Sequence, residues 1–399
     1  MAASLVARPS LSSFVCLFAT ALLLVGASQG DYDPAFRRCA WQCFDEKECA
    51  VVDRHEEERL ALHLREVDGI GRALYETWHR YRHLSCSDQC MADCSYSVTQ
   101  ERLSSKLSVY KYFGHWSFYR YFGFEEPASV IFSLGNAVPH VLRMWQQHRQ
   151  PLSYARCQMN SYKAGISGTG RSFSFSSGGK CNENSGEKTY FLHDWAYFYP
   201  WVATLAWFSS AIYHSKRTKE TELLDLSTAL ILLWYGLAIT SRRLAGPHAK
   251  SLYVSVLFSL SCSALVWRLS AMTAGQVPFQ MHMVTAISIV IASVSLWILW
   301  IFTSRDQFDP RSESHRFLVM HLFNYAGSWP NKQRMAFFQV GFIAASMLEL
   351  FDFPPILGFC DAHSLWHACT IPLGFVWYDF IEEDRAYMLR QDPATEKID

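Results

Sequence analysis

The sequence has few charged residues and no N-x-[ST] glycosylation sequon. Asp, Glu, Lys and Arg make up 18% of the 399 residues, whereas about 25% is usual in soluble domains. Positive and negative charges balance to a formal net charge of zero. The chain therefore lacks the basic excess that favours nucleic-acid binding, and no nucleic-acid partner is expected. Hydrophobic residues, by contrast, make up 50% of the chain and aromatic residues 15%.

Residues 1–30 have the pattern of a secretory signal peptide. Arg8 provides the positive charge at the start, the run FVCLFATALLLVGA forms the apolar centre, and Ser28 and Gly30 form a small-residue cleavage site. An uncleaved membrane anchor is the alternative. In either case, the chain from Asp31 onward is expected to enter the secretory lumen.

Six cysteines lie within the first hundred residues, at Cys39, Cys43, Cys49, Cys86, Cys90 and Cys94. The stretches CAWQC and CSDQCMADC place cysteines four residues apart, so on a helix their thiols share one face. Two such helices could be stapled together by disulfides. Zinc binding is the competing interpretation, but the oxidising lumen favours disulfides. Their connectivity stays open, because six cysteines allow 15 pairings.

Beyond Pro127 the chain becomes a series of apolar stretches of membrane-spanning length. They lie at about 127–145, 192–213, 223–240, 250–270, 282–303, 334–351 and 364–381. Polar interruptions are expected to weaken the first, second, sixth and seventh on a hydropathy scale. The sequence predicts an all-α membrane protein, with seven transmembrane helices after an N-terminal disulfide-rich lumenal helical domain. The predicted parts are the signal peptide (1–30), the Cys-rich lumenal domain (31–125), the membrane domain (126–385) and a cytosolic tail (386–399).

The distribution of basic residues predicts how the helices are oriented. A lumenal N-terminus places the Lys- and Arg-containing segment 146–191 in the cytosol, where Cys157 and Cys181 would be free thiols. The segment 271–281, which this orientation places in the lumen, contains no charged residue. An odd number of spans then places the C-terminus in the cytosol.

Three predicted lumenal helix ends carry polar side chains. Ser210 and His214 are one turn apart at the end of the second span, Asp225 lies in the first turn of the third, and His363 and His367 are one turn apart at the start of the seventh. Ionisable groups within a membrane segment are costly and indicate function. Each group alone has an ordinary alternative, such as an interfacial histidine, a capping aspartate or a packing serine. Their shared depth favours a single site.

Three histidines form a known ligand set for catalytic zinc, with a fourth position left for a water whose pKa the metal lowers to about 7. A neighbouring carboxylate such as Asp225 can accept a proton and pass it to the leaving group. The Ser210 hydroxyl can orient a ligand or the water. The pattern thus predicts a hydrolase site at the membrane surface. Glu126 and Glu349 are either partners of this site or structural residues.

The spacing S-x₃-H, a following Asp, and H-x₃-H at the last helix resembles the CREST superfamily of seven-helix membrane hydrolases, which includes alkaline ceramidases and adiponectin receptors. The chain is most similar to the post-GPI-attachment lipid-remodelling phospholipase A2 family. The motifs that carry this resemblance are DPAFRRCAWQCFDEKEC, CSDQCMADC, FGHWSFYRYFGFEEPASV, WFSSAIYHSKRTKETELLD and LELFDFPPILGFCDAHSLWHACTIP. Together they extend over most of residues 31–385.

The resemblance implies removal of the sn-2 acyl chain from the inositol phospholipid of GPI-anchored proteins. By position it implies zinc on His214, His363 and His367, with Asp225 acting on the water and Ser210 supporting the site. Residence in the endoplasmic reticulum or Golgi is expected; the C-terminus TEKID is a poor dilysine signal, so the compartment stays open. The 154–190 loop is longer than the family pattern. A ceramidase-like amidase and a non-enzymatic receptor or cargo escort are the alternatives.

Overall fold

A computed structural model describes residues 28–65, 69–82, 84–149, 191–245, 264–265, 270–271, 279–302 and 328–390 of the chain. Within these ranges the protein is helical and contains no β-strand. The predicted signal peptide up to residue 27, most of the 250–270 stretch, Cys157, Cys181 and the 391–399 tail lie outside the described residues.

Four helices and the loop that follows them form the disulfide region (residues 28–125). The helices are α1 (Pro34–Glu46), α2 (Cys49–His63), α3 (Ile70–Arg82) and α4 (Cys86–Ser104). Asp33 caps α1 by accepting a hydrogen bond from the backbone N–H of Ala35, and Ser85 caps α4 through the N–H of Asp88. Both residue types are preferred at helix N-termini for this reason.

All six predicted cysteines form disulfides, paired Cys39–Cys94, Cys43–Cys90 and Cys49–Cys86. The first two bonds join α1 to an antiparallel α4, and the third joins the start of α2 to the start of α4. The expected helix stapling is therefore confirmed. The core of the region is small, with Phe36, Val98 and Tyr112 packed beside the bonds. Disulfides typically contribute about 2–4 kcal/mol each, and small domains depend on them.

Six longer helices form the helix bundle. They are α5 (Pro127–Arg149), α6 (Phe191–Ser215), α7 (Lys219–Ala245), α8 (Phe279–Phe302), α9 (Trp329–Phe351) and α10 (Ala362–Arg390). Each packs on the next in chain order, and α10 returns to α5, so the six close into a ring. Six of the seven apolar stretches coincide with these helices.

Two helical segments, Lys219–Leu244 and Met281–Phe302, are long and apolar enough to cross a membrane by length and composition alone. They correspond to the third and fifth predicted spans, and they indicate a membrane protein. As expected, α5, α6, α9 and α10 are less apolar, because they carry polar side chains such as Asn136, His214, Lys332 and His367. The described helices therefore do not establish the predicted count of seven spans.

The bundle has a buried polar cluster at the end that contains the C-termini of α7, α8 and α10. The guanidinium of Arg243 donates two hydrogen bonds to the Asp384 carboxylate, and Asn331 at the start of α9 donates a third, at 3.1 Å. Trp300 of α8 lies against Arg243, with 5.3 Å between the guanidinium carbon and the ring centroid. Four helices thus meet around one carboxylate.

The disulfide region packs on the opposite end of the bundle. The backbone N–H of Tyr119 donates to the carbonyl of Gly358, at 2.9 Å, in the loop between α9 and α10. The Tyr81 hydroxyl contacts the Ser215 hydroxyl at the end of α6. The end of α6 and the start of α10, where the predicted site residues lie, therefore face the disulfide region.

Candidate functional site

The three predicted histidines come together where the end of α6 meets the start of α10. The Nε2 atom of His363 is 3.3 Å from Nε2 of His214 and 3.0 Å from Nε2 of His367. The third side of this triangle, between His214 and His367, is 3.4 Å. His214 and His367 are buried, and His363 is partly exposed. One histidine therefore remains accessible at the rim of the cluster.

The triangle has the dimensions of a metal site. A tetrahedral zinc ion with bonds of about 2.0–2.1 Å to nitrogen spaces its ligands about 3.3 Å apart. A histidine that donates a proton from Nδ1 presents a lone pair at Nε2. Lone pairs that converge at these distances repel one another unless a cation or proton lies between them. The nitrogen geometry and chemistry therefore fit a bound metal.

Two carboxylates orient the rings from outside the triangle. Nδ1 of His214 donates to Glu126, at 2.6 Å, and Nδ1 of His363 donates to Glu349, at 2.7 Å. Such contacts set the tautomer and the direction of a ligand ring. Glu126 precedes α5 and Glu349 lies in the last turn of α9, so four elements build this part of the site.

Glu126 is held by a second layer of charge. The guanidinium of Arg217 contacts Glu126 at 3.2 Å and Glu125 at 2.9 Å. Arg120 donates to the other oxygen of Glu125, at 3.1 Å. The backbone N–H of Glu126 also donates to the carbonyl of His214, at 3.0 Å. These contacts fasten the end of α6 to the start of α5.

His367 is positioned through its backbone and its aromatic neighbours. The side-chain amide of Asn136 in α5 donates to the His367 carbonyl, at 2.7 Å. The ring of Trp207 lies 5.4 Å from the His367 ring, measured between centroids. Among the described residues, Nδ1 of His367 is buried without a hydrogen-bond partner, so its ring direction depends on packing rather than on a carboxylate.

The start of α10 is capped by a reciprocal pair of hydrogen bonds. The N–H of Ser364 donates to Asp361 Oδ1, and the N–H of Asp361 donates to Ser364 Oγ, each at 2.8 Å. This pair resembles a capping box, which satisfies backbone groups at a helix start. It fixes the first turn of α10, from which His363 and His367 project.

The predicted Asp225 and Ser210 occupy different positions relative to the triangle. Asp225 of α7 is partly exposed and interacts electrostatically with His214 and His363. Within the described part of the chain, its carboxylate makes no hydrogen bond or ion pair. Ser210 is buried, and its hydroxyl lies 3.1 Å from the hydroxyl of Ser133 in α5. The structure thus places Ser210 between two helices rather than in hydrogen-bond contact with a histidine.

Sequence reasoning left the supporting residues undecided or missed them. It named Glu126 and Glu349 without choosing between a site role and a structural role, and it gave no role to Arg217 or Asn136. The sequence feature that could have identified these residues is the presence of charged and amide side chains beside apolar helices, where unpaired polar groups are costly. The distance from Glu126 to His214 in the chain is 88 residues, so no local pattern pairs them.

Comparison with known proteins identifies relatives over most of the chain. A curated mouse protein, "GPI-specific phospholipase A2-like PGAP3", is 24% identical over 386 residues, covering 96% of this chain and 97% of the mouse protein. A Xenopus laevis protein of the same name is 25% identical, covering 98% of this chain and all of the frog protein. The Drosophila "Post-GPI attachment to proteins factor 3" is 23% identical, with 94% of each chain covered.

No solved structure matches the chain. A family model described as the Per1-like family matches residues 76–385, a range that includes α4, the bundle helices α5 to α9, most of α10 and the three clustered histidines. The chain belongs to the Per1-like family.

Proposed function

We propose that the protein is a zinc-dependent membrane phospholipase that removes the sn-2 acyl chain from the inositol phospholipid of GPI-anchored proteins. The observation that carries this proposal is the convergence of three Nε2 atoms at 3.0–3.4 Å. The names of the relatives, which refer to a GPI-specific phospholipase A2 and to post-GPI attachment, supply the substrate class.

His214, His363 and His367 would hold the zinc ion. When bound, the ion would polarise the ester carbonyl and lower the pKa of a water molecule to about 7. Glu126 and Glu349 keep two of the rings in the tautomer that presents Nε2, through the 2.6 and 2.7 Å contacts. These two carboxylates are therefore positioning residues.

Asp225 is the proposed catalytic acid–base group. It would accept a proton from the attacking water and deliver it to the glycerol oxygen as the ester bond breaks, so that the products are a fatty acid and a lysolipid. Its carboxylate is suited to this role because the described contacts do not commit it elsewhere. Ser210 would support the site by joining α6 to α5 through Ser133.

The active face is proposed to lie in the lumen of the endoplasmic reticulum or Golgi, with seven spans and a cytosolic C-terminus. The predicted boundaries at residues 30, 125 and 385 belong to this proposal. The substrate would be the lipid of GPI-anchored proteins, which is embedded among the phospholipids of the membrane. No nucleic-acid partner is proposed.

The metal assignment predicts that purified His363→Ala loses most of the zinc bound by the wild-type protein, which is expected to hold about one ion per chain. Losing one of three ligands opens the site, so the ion dissociates. The measurement is elemental analysis of protein purified without chelators. His79→Ala, in the disulfide region, is the control and should retain zinc. Unchanged zinc in His363→Ala would contradict the assignment.

The activity is tested by lipid mass spectrometry of GPI-anchored proteins from cells with and without this protein. Cells that lack it are expected to accumulate unsaturated sn-2 chains, and wild-type protein should restore remodelling. Changed ceramide levels with normal GPI lipids would favour the amidase instead. Restoration by His363→Ala would favour a receptor or escort, because neither role needs the hydrolytic centre.

A further inference from the structure

A tight turn, Lys111–Trp116, lies in the loop after α4 of the disulfide region and contacts the C-terminal end of α9. Tyr112 and His115 exchange backbone hydrogen bonds across it, at 2.8 and 3.0 Å. Trp116 Nε1 donates to the Asp352 carboxylate at 3.0 Å, and Lys111 Nζ lies 2.5 Å from the other Asp352 oxygen. Asp352 ends α9 and lies three residues after Glu349, which orients His363.

The N-terminal segment holds this turn in place. The N–H of Gly30 donates to the carbonyl of Lys111, at 3.1 Å, and the N–H of Phe113 donates to Asp31, at 2.6 Å. A Cβ atom on Gly30 would lie 2.4 Å from the Lys111 carbonyl oxygen, so only glycine permits this approach. The turn is therefore fixed from both sides.

Both basic side chains of the turn reach the site electrostatically. Lys111 interacts with Glu349, and His115 interacts with Glu126 and His214. The basic side chains of the turn are thus near the two carboxylates that are bonded to the histidine rings.

Lys111 is a basic group near the site that is placed to bind an anion. Arg217 and Arg120 are already committed to Glu125 and Glu126. Burial, with Arg217 next in effect, lowers the pKa of His115 to about 4, so His115 is neutral at pH 7. Lys111 is paired with Asp352, and the two side chains are 32% and 50% exposed. Ion pairs that solvent reaches are weak, so the ammonium can exchange this partner for another anion.

We infer that Lys111 binds the phosphate of the lipid substrate and thereby selects phospholipids over uncharged glycerides. This inference rests on the proposed phospholipase function. The sn-2 ester and the phosphodiester are on adjacent glycerol carbons, so a cation beside the hydrolytic centre contacts the phosphate while the ester lies at the histidines. Lysine is a common phosphate ligand, and its contact with an anion is a charge-assisted hydrogen bond.

The test measures fatty-acid release by zinc-loaded, purified full-length protein in detergent micelles. The two substrates are phosphatidylinositol and diacylglycerol with identical acyl chains. The wild-type protein is expected to prefer phosphatidylinositol. Lys111→Met should raise KM for phosphatidylinositol about tenfold or more and abolish the preference, because a charge-assisted contact is lost. Lys111→Arg should retain most of the preference.

Asp352→Asn is the matched control, because it breaks the same ion pair from the other side. Asparagine tolerates the left-handed backbone of residue 352, where φ is 40°, and still offers Trp116 a carbonyl oxygen. This variant should retain the preference for phosphatidylinositol. If Lys111 only tethers the turn, both variants should lose activity equally on both substrates, and that result would overturn the inference.

Lys111→Gln provides a second measurement if Lys111→Met fails to fold, since glutamine keeps most of the stem without the charge. A folded, zinc-loaded Lys111→Gln protein with unchanged preference would also overturn the inference. A zinc-loaded wild-type protein that hydrolyses neither substrate, nor a GPI lipid, would instead contradict the proposed function. The two failures are therefore distinguishable.

Discussion

Asp225 is the residue proposed to transfer a proton at the proposed metal site. Its carboxylate is near two of the three histidines but is not part of the nitrogen triangle. Glu126 and Glu349, in contrast, are bonded to histidine rings. Glu126 and Glu349 are therefore proposed to orient the histidines, whereas Asp225 is proposed to act on water.

We expect Asp225→Asn to retain zinc and lower sn-2 hydrolysis about 10²–10⁴-fold, the usual contribution of general acid–base catalysis. The amide keeps the shape of the side chain but does not accept the proton. Bound zinc and fatty-acid release would be measured on the same preparation. Glu222→Gln, one turn earlier on α7, is the control and should remain active. Full activity of zinc-loaded Asp225→Asn would remove Asp225 from the mechanism.

Glu349→Gln should weaken zinc binding about 10–100-fold without eliminating it, because the amide oxygen still accepts from His363 but carries no negative charge. Competition with a chelator of known affinity measures this change. Glu383→Gln is the control, because Glu383 pairs with Arg334 at the other end of the bundle. This variant should bind zinc with the affinity of the wild-type protein. Equal affinities for all three proteins would show that Glu349 does not tune the site.

At the level of helices, the two ends of the bundle contain different polar clusters. The end near the disulfide region gathers the histidines, whereas the other end joins α7, α9 and α10 through Arg243, Asn331 and Asp384. Removing one partner of a buried ion pair is more damaging than replacing both, because a charge is left in a medium of low polarity.

Asp384→Asn is therefore expected to lower the free energy of unfolding by about 3–5 kcal/mol. The double variant Arg243→Met/Asp384→Met should lose less than the sum of its two single changes. Denaturant unfolding in a single detergent provides the comparison. Asp379→Asn on the same helix is the control, with a change expected near zero. An Asp384→Asn protein as stable as wild type would show that this cluster does not stabilise the bundle.

In the molecule as a whole, the disulfide region and the histidine site lie on the same side. The disulfide region contacts the α9–α10 loop and the end of α6, and three disulfides require an oxidising compartment. If the disulfides form in the lumen, the site must face the lumen as well. The chemistry of the cysteines and the position of the site thus support one orientation.

This orientation predicts that Asp31 is lumenal and Asp399 is cytosolic. In sealed microsomes, protease should remove a tag at the C-terminus and spare one placed after the predicted signal peptide. Detergent should expose both tags, which verifies that the protease is active. Protection of the C-terminal tag alone would place the site on the cytosolic face, contrary to the proposed substrate access.

The local features of this protein could be predicted from its sequence alone. Apolar stretches placed six helices, since a run of that length and composition is helical wherever backbone groups must bond internally. Four-residue spacing predicted that His363 and His367 share one face of α10. It also predicted that Cys39 and Cys43 share one face of α1. The motifs also predicted the three histidines as a ligand set, and the structure brings their Nε2 atoms together.

Contacts between groups that are distant in the chain could not be predicted without the folded structure. Three contacts join residues that are far apart in the chain. Glu126 and His214 are 88 positions apart, and Asn136 and His367 are 231 positions apart. Lys111 and Asp352 are 241 positions apart (352 − 111). The disulfide connectivity was likewise one choice among 15. Spacing along the chain specifies which side chains share a face of one helix, but contacts between helices depend on how the whole ring packs.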